Sequence, residues 1–337
     1  MKKISIAIVG AGWYGCHLAI YLKKLGHKII IFEKNKDIFL GASGYNQFRL
    51  HVGFHYPRSS STINEIKNNF DKFKKEYKKY IKFPKKNIYC IAKNKSLIDL
   101  ETYKNILRAK KLKFKNVNLK YLDNIEGAIN VKEGILLNTK VIKLYKKKLK
   151  KELKLNKKIN SLIKISKKYD LVIDCTNNTI KNNFKNNVNY LLTISHIFKT
   201  KKNSNAHAVT IMDGKLPSIY PYSDKPNFFS LTHSSFTHIK KFGSFKRLEN
   251  FKYKISKEFI KINKDNMVKG ISIYYKNFSE KFLYKGHFFS YKVMPNEKSD
   301  KRPTFIKKYN NIVSIFSGKI ANIYSAQDYI QKLINKK

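Results

Sequence analysis

Several features are scarce or missing in this sequence of 337 residues. Its three cysteines, Cys16, Cys90 and Cys175, lie far apart and in apolar surroundings. Disulfide frameworks and zinc sites need paired or closely spaced cysteines, so the pattern predicts buried thiols in a reducing compartment. No stretch approaches the ~20 apolar residues of a membrane span, and no linker rich in Pro, Gly and Ser divides the chain. We therefore expect a folded cytoplasmic protein, without a membrane span, whose domains are interwoven.

Arginine is also scarce, because the chain has five arginines and the other 66 of its 71 basic residues are lysine. The formal net charge of +49 and the pI near 10.0 raise nucleic acid or an anionic membrane surface as partners. The lysines are spread over almost every segment, which favours compositional drift over a selected surface and predicts no specific nucleic acid. A basic, non-enzymatic polyanion binder stays open as an alternative. A chain that has replaced most arginines would keep them where a planar, two-pronged donor is needed.

The first 33 residues contain a dinucleotide-binding pattern. A short apolar strand over residues 4 to 9 leads into Gly10, Gly12 and Gly15, spaced as G-x-G-x-x-G, then a helix and a second strand that ends at Glu33. The first glycine permits a tight turn, the second a close approach to pyrophosphate, and the third close packing of helix on strand. Glu33 can accept both ribose hydroxyls. A signal peptide fits less well, because the apolar run is only about six residues long.

The residues that follow resemble a known family of flavoenzymes. In "KNKDIFLGASGYNQFRLHVGFHYPRS", residues 41 to 44 and Asn46 match the "GAS-G" element of the D-amino-acid oxidase and glycine oxidase superfamily of FAD-dependent oxidoreductases. "YDLVIDCTNN", residues 169 to 178, is similar to that family's strand that ends against the cofactor, with Asn177 where glycine is usual. These matches imply FAD as the cofactor.

The C-terminal stretch "DKRPTFIKKYNNIVSIFSGKIANIY" is similar to the family's substrate-binding "R-P" element followed by a strand and a glycine turn. The resemblance implies that Arg302 binds an anionic group of a small-molecule substrate and that residues 317 to 319 lie against the flavin. The predicted cofactor-binding residues are Gly10, Gly12, Trp13, Tyr14, Gly15, Glu33, Lys34, Ser43, Asn46, Arg49, His51, Thr176, Gly318, Lys319 and Ile320.

The stretch "LHVGFHYPRS" is also similar, more weakly, to UDP-galactopyranose mutase, in which an "H-x-x-G-x-H" element lies beside the flavin. Here the matching residues are His51, Gly53 and His55. This second resemblance keeps a flavin-dependent nucleotide-sugar mutase as an alternative.

Residues 46 to 60 hold two of the five arginines and two of the nine histidines. Gly53 and Pro57 oppose a helix, so His51 and His55 do not form an H-x-x-x-H metal pair, and we predict no metal site. A role in the flavin or substrate pocket is favoured over a purely structural one. The predicted catalytic residues are His51, His55, Arg302 and Tyr222; further candidates for the pocket are Gln47, Tyr220 and His233.

The remaining pattern predicts an α/β fold in which a Rossmann-like FAD-binding domain is interwoven with a mostly antiparallel substrate domain. Residues 60 to 82, 97 to 111, 143 to 158 and 245 to 264 read as helices, and residues 87 to 93 and 270 to 276 as strands, with several strands between 190 and 237. The FAD-binding domain is predicted to contain residues 1–80, 134–185 and 300–337, and the substrate domain residues 81–133 and 186–299. We expect an oxidoreductase that transfers a hydride to flavin from a small anionic substrate bearing an amine or hydroxyl.

Overall fold

The computed structural model describes residues 2–180, 188–201, 206–295 and 304–336. The strands are β1 (Ser5–Val9), β2 (Lys28–Phe32), β3 (Arg49–Leu50), β4 (Ile81–Lys82), β5 (Asn87–Ala92), β6 (Phe114–Val117), β7 (Ile125–Val131), β8 (Gly134–Leu136), β9 (Leu153–Lys154), β10 (Leu171–Asp174), β11 (Val188–Thr200), β12 (Ala208–Met212), β13 (Pro217–Pro221), β14 (Phe228–His233), β15 (His238–Phe242), β16 (Phe282–Pro295), β17 (Phe305–Tyr309) and β18 (Ile312–Phe316). The helices are α1 (Trp13–Lys24), α2 (Ser60–Tyr77), α3 (Leu100–Ala109), α4 (Asn138–Lys148), α5 (Leu162–Ser166), α6 (Ser234–Thr237), α7 (Phe245–Lys252), α8 (Lys257–Ser272), α9 (Phe278–Lys281) and α10 (Ile323–Asn335), and a 3₁₀ turn, Lys78–Tyr80, follows α2.

A six-stranded sheet forms the first layer, in the order β17-β18-β10-β1-β2-β9. Its strands are parallel except for β17, which pairs with β18 in the antiparallel direction. Apolar side chains of α1 and α10 pack on one face of this sheet, and α5 packs on the other. Because both faces are covered, β1 and β10 read as continuous apolar runs.

A second sheet has nine strands in the order β15-β11-β14-β13-β12-β5-β7-β6, with β16 paired along β11. Its pairs are antiparallel apart from β5 with β12. A small third sheet has three strands, in the order β3-β8-β4. The predicted α/β fold with a mostly antiparallel second sheet is confirmed.

Several predicted element boundaries are wrong. The helix expected over 143 to 158 ends at Lys148, because the chain turns at Leu149 and Leu153 enters β9 beside β2. The helix expected over 245 to 264 is two helices, α7 and α8. Residues 270 to 276 contain the end of α8 rather than a strand, and the long strand β16 was not predicted.

None of the helices in the described ranges combines the length and apolar composition that crossing a bilayer requires.

Candidate functional site

The glycine turn joins β1 to α1 at the edge of the parallel sheet. Gly10 has a φ of +100°, a backbone conformation that glycine adopts most easily. A Cβ on Gly15 would lie 1.9 Å from the carbonyl oxygen of Gly10, so the third glycine allows the helix to approach the strand. A Cβ on Gly12 would lie 2.7 Å from Oγ of Ser43. Gly10 and Gly15 therefore have the steric roles that their spacing predicts, and the space at Gly12 is limited by Ser43.

The turn places the N-terminus of α1 beside a buried carboxylate. The first amides of α1 have no intrahelical acceptor and lie at the positive end of the helix; Oγ of Ser43 accepts one of them, from Trp13, at 3.0 Å. Glu33 is buried, and its Oε2 accepts the Ala11 amide at 2.9 Å while Oε1 accepts the Asn35 backbone amide at 2.9 Å. A phosphate at the helix terminus and a ribose at Glu33 fit this donor and acceptor pattern.

The end of β10 closes the turn from the other side. A Cβ on Gly10 would lie 2.8 Å from the carbonyl oxygen of Cys175. Thr176 donates its backbone amide and its hydroxyl to Oδ1 of Asp174, at 2.9 and 2.6 Å. Asn177 has a φ of +56°, so asparagine occupies here a left-handed conformation that glycine also adopts. Asparagine at position 177 is therefore compatible with the backbone conformation that a glycine there would adopt.

The C-terminal turn is attached to α1 by a hydrogen bond. The Tyr14 hydroxyl donates to the Lys319 carbonyl at 2.7 Å, and the Lys319 amide donates to Oγ of Ser317 at 3.2 Å. A Cβ on Gly318 would meet no atom within 4 Å, and Ile320 packs against the core beneath the parallel sheet. From this turn the Lys319 side chain reaches Tyr56, in the loop that follows β3.

Three other predicted cofactor residues have side chains that are engaged elsewhere. The Trp13 ring is buried in the core, 5.5 Å from the Phe39 ring. The Asn46 side chain bonds backbone atoms of its own loop, donating to the Ala42 carbonyl at 3.0 Å. The Lys34 ammonium lies 3.6 Å from a carboxylate oxygen of Glu249 at the surface.

Arg49 is buried at the junction of the sheets. Its guanidinium carbon lies 3.9 Å from the centre of the Tyr220 ring. It donates to Oγ of Ser218 at 2.7 Å and to the Tyr89 hydroxyl at 3.3 Å. The Tyr89 hydroxyl in turn donates to Oε2 of Glu133 at 2.6 Å. The planar guanidinium thus stacks on one ring and donates hydrogen bonds at the same time.

His51, His55, Tyr56 and Lys319 form a cluster next to Arg49, called here the basic cluster. The rings of His51 and His55 are 5.4 Å apart, and each lies 5.3 Å from the Tyr56 ring. The Lys319 ammonium contacts the Tyr56 hydroxyl and lies 3.9 Å from the centre of that ring. The structure thus brings together the predicted residues Arg49, His51, His55 and Lys319.

The charge state of the basic cluster is set by burial. Burial, with the positive charges of Lys319 and Arg49, holds the pKa of His51 well below its ordinary range, and burial likewise lowers the pKa of His55. Burial and the charge of Arg49 lower the pKa of Lys319 to about 7. Both imidazoles are therefore neutral at pH 7, and the same burial and positive charges disfavour their protonated forms unless a negative charge is bound nearby.

The other predicted pocket residues lie apart from this cluster or outside the described part of the chain. The Tyr222 ring lies 5.0 Å from the Phe48 ring, and burial raises its pKa to about 12. His233 caps α6, accepting the Ser235 amide at 3.2 Å. The Gln47 side chain donates to the Ser230 carbonyl at 3.3 Å. Arg302 lies outside the described residues.

Sequence reasoning missed Glu133, which is fully buried between Tyr89 and the 51–56 loop. The sequence feature that could have identified it is its place directly before the apolar run "GILL", in a chain with only 22 acidic residues. Tyr56 and Tyr89 had no such signal, because the chain has 22 tyrosines.

Comparisons with known proteins define the class. The family model for FAD-dependent oxidoreductases, DAO, matches residues 5–142. The FAD-dependent monooxygenase FPY4 of Fusarium mangiferae is 31% identical over 98% of this chain and 91% of its own length, and the FAD-dependent monooxygenase kojA of Aspergillus flavus is 24% identical over 99% and 86%.

Among solved structures, glycine oxidase from Geobacillus kaustophilus superposes with a TM-score of 0.72 at 12% identity, covering 100% of this chain and 96% of that one. L-α-glycerophosphate oxidase from Mycoplasma pneumoniae, solved with FAD bound, gives a TM-score of 0.68 at 14% identity, covering 100% and 96%. These two likenesses show the same fold.

The chain belongs to the DAO family of FAD-dependent oxidoreductases, and its cofactor is FAD. The predicted family, enzyme class and cofactor are confirmed. Membership of an enzyme family sets aside the non-enzymatic polyanion binder, and the comparisons give no support to the nucleotide-sugar mutase.

Proposed function

We propose that this enzyme oxidises a small anionic molecule that carries an amine or a hydroxyl on the carbon to be oxidised. The observation that carries the proposal is the convergence of two basic side chains, Arg49 and Lys319, with the imidazoles of His51 and His55, whose rings lie 5.4 Å apart. Within residues 2–180, 188–201, 206–295 and 304–336, neither Arg49 nor Lys319 forms a salt bridge with a carboxylate. The charge of Glu133 acts on Arg49 through the contact with Tyr89. The pKa of Lys319 is lowered to about 7, so an anionic ligand beside it would favour its charged form.

FAD would be held by the residues around the glycine turn. Gly10, Gly12 and Gly15 leave room for the pyrophosphate, and Glu33 would accept the ribose hydroxyls. The backbone at Thr176 and the turn at Gly318 and Lys319 border the same edge of the sheet. We propose residues 1–80, 134–185 and 300–337 as the FAD-binding domain, and residues 81–133 and 186–299 as the substrate domain.

Bound FAD supplies an acceptor for two electrons. In the proposed reaction the substrate C–H bond breaks, its electron pair leaves with the hydrogen as hydride, and the neighbouring amine or hydroxyl loses a proton. His51 or His55, neutral at pH 7, would accept that proton. Arg49 and Lys319 would orient the anionic group, and the product is an imine or a carbonyl compound. Arg302 stays a prediction as a further anion-binding residue.

A monooxygenase is the second candidate, favoured by the identity of 31% over 98% of the chain with a protein named as one. Monooxygenation consumes O₂ and two external electrons and places one oxygen atom in the product. It therefore requires an added reductant such as NADPH, whereas the oxidation proposed above does not. Product formation that depends strictly on NADPH, with ¹⁸O from O₂ in the product, would favour this second candidate.

Anion binding beside the flavin is tested by titrating the flavin-loaded enzyme with unreactive ligands of matched shape. We expect acetate and pyruvate to perturb the flavin absorption spectrum with saturation, and acetamide to have no effect at equal concentration. Lys319→Gln should weaken pyruvate binding about 10-fold or more, as for a hydrogen bond to a charged group worth ~1.5–3 kcal/mol. The control is Lys308→Gln, an exposed lysine of β17. Equal perturbation by acetamide, or no change in Lys319→Gln, would contradict the proposal.

A further inference from the structure

The pairing of β3 with β8 places His51 opposite a buried carboxylate. In this antiparallel pair, Arg49 lies opposite Ile135 and Leu50 opposite Gly134. Continuing the register by one residue brings His51 to Glu133. Gly134 is needed for this pairing because a Cβ there would lie 2.7 Å from the Ile81 side chain of β4. The juxtaposition is therefore fixed by the third sheet rather than by a flexible loop.

Glu133 is held rigidly at this position. It is 0% exposed; Oε1 accepts the Val52 amide at 3.0 Å, and Oε2 accepts the Tyr89 hydroxyl at 2.6 Å. Tyr89 connects it to the guanidinium of Arg49. A buried carboxylate that accepts two hydrogen bonds retains further lone pairs for a third donor.

The third donor available is the imidazole of His51. Its Nδ1 lies 3.3 Å from Oε1 of Glu133. The N–H is not directed at the oxygen, so Nδ1 is buried without a hydrogen-bond partner in the described part of the chain, and a small rotation of the ring would supply one. Side-chain contacts of this kind tighten when a ligand fills the site.

We propose that Glu133 is a positioning residue, which holds His51 with its proton on Nδ1 and leaves Nε2 as the proton acceptor of the site. This role rests on the proposed function only in its last step, the transfer of the substrate's amine or hydroxyl proton to Nε2. Nδ1 of His55 is likewise buried without a hydrogen bond among the described residues, but in that part of the chain His51 is the histidine with a ring nitrogen within ion-pair distance of Glu133. The two histidines thus differ, and His51 is the proton acceptor.

The tautomer of His51 is measured by ¹⁵N-histidine NMR of the flavin-loaded enzyme at pH 7, with the resonances assigned by His51→Gln. We expect Nδ1 of His51 to carry the proton, and Glu133→Met, which removes the acceptor at similar length, to abolish that preference. Glu133→Gln retains an oxygen acceptor and is expected to keep the tautomer if Glu133→Met does not fold. A proton on Nε2 in the unmodified enzyme, or a tautomer unchanged in Glu133→Met, would overturn the proposal.

Kinetic measurements distinguish a positioning role of Glu133 from a role in substrate binding. Glu133→Met should lower the rate of anaerobic flavin reduction by about 100-fold, the lower end of what a general base contributes, and leave the substrate dissociation constant within 3-fold. Glu133→Gln, which retains an oxygen acceptor, should recover most of that rate. Glu126→Gln, an exposed carboxylate of β7, should change neither. A purely structural role would instead lower flavin content or weaken substrate binding, and that result contradicts positioning. Because the NMR readout needs no substrate, failure of the proposed reaction leaves the tautomer test intact.

Discussion

At the scale of single residues, the glycines and the polar contacts of the site differ in how far sequence reveals them. The tight packing at Gly15 could be predicted, because the atoms that an added Cβ would meet belong to Gly10 and Ile8 in the same local unit. Glu133 could not, since its partners Val52 and Tyr89 lie far away and meet it only through strand pairing. A local motif reports local geometry, whereas a buried pair across a sheet depends on register.

The steric role of Gly15 leads to a stability prediction. We expect Gly15→Ala to lower the free energy of unfolding by about 1–3 kcal/mol, the usual cost of overpacking, because the added Cβ would lie 1.9 Å from a backbone oxygen. FAD content should fall with it. Urea unfolding followed by circular dichroism measures the change, and the matched control is Gly243→Ala, where a Cβ meets no atom within 4 Å. Equal stability of the two variants would show that the helix can move away from the strand.

The backbone at Asn177 gives a second prediction. Its φ of +56° costs a residue with a Cβ roughly 1–2 kcal/mol unless its side chain bonds locally, as that of asparagine can. Asn177→Gly should therefore leave stability nearly unchanged, whereas Asn177→Val should lower it by at least about 1 kcal/mol. The urea concentrations at the unfolding midpoints of the two variants measure this difference in stability. A valine variant as stable as the glycine variant would contradict the left-handed conformation.

At the scale of secondary-structure elements, it was easier to predict whether a segment is a helix or a strand than to predict where it ends. The strand predicted at residues 270 to 276 was wrong because Asn263, Met267 and Ile271 are buried at helical spacing, so α8 continues to Ser272. Beyond it, Tyr275 forms an isolated bridge with Leu122. The helix expected to reach residue 158 was too long because Leu149 and Leu153 continue the helical period although the chain has already turned toward β9. Tertiary pairing with β2 decided where α4 ends.

The hydrogen bond between Ser43 and the start of α1 links two elements of the cofactor site. Ser43→Ala removes the acceptor of the Trp13 amide and should cost about 0.5–2 kcal/mol of stability, as for the loss of a helix cap. It should cost less when FAD is in excess, because the phosphate then meets the helix terminus. Thermal unfolding with and without added FAD measures both. A loss of stability that FAD does not reduce would place the phosphate elsewhere.

At the scale of the whole molecule, the fold class, family and cofactor could be predicted from the two ends of the chain, where motifs are local. The nine-stranded sheet could be anticipated only as a mostly antiparallel region, since its strand order depends on long-range pairing such as β5 with β12. The high positive charge gave no guide to the site, because the two basic residues that we propose to bind the substrate, Arg49 and Lys319, are two among 71.

The buried histidines should make the stability of the whole protein depend on pH. The pKa values of His51 and His55 are lowered in the folded state, so the unfolded chain binds protons more readily below about pH 6.5, and stability falls as the pH drops below that value. Each unit of pKa difference contributes about 1.4 kcal/mol. Urea unfolding at pH 7 and pH 5 in excess FAD should show a smaller loss for the His51→Gln, His55→Gln double variant than for the exposed control His238→Gln. An identical loss would mean that the two histidines are protonated in the folded enzyme.

Anaerobic reduction of the bound flavin by pairs of acids and their amides tests the central claim most directly. The purified enzyme, yellow from FAD, is mixed without added reductant with small amino acids and hydroxy acids and with the matching amides. We predict that at least one acid bleaches the flavin band and that its amide does so at least 10-fold more slowly, because Arg49 and Lys319 bind the carboxylate. Bleaching by an amide as fast as by its acid, or reduction only by NADPH across the panel, would contradict the oxidation of a small anionic substrate.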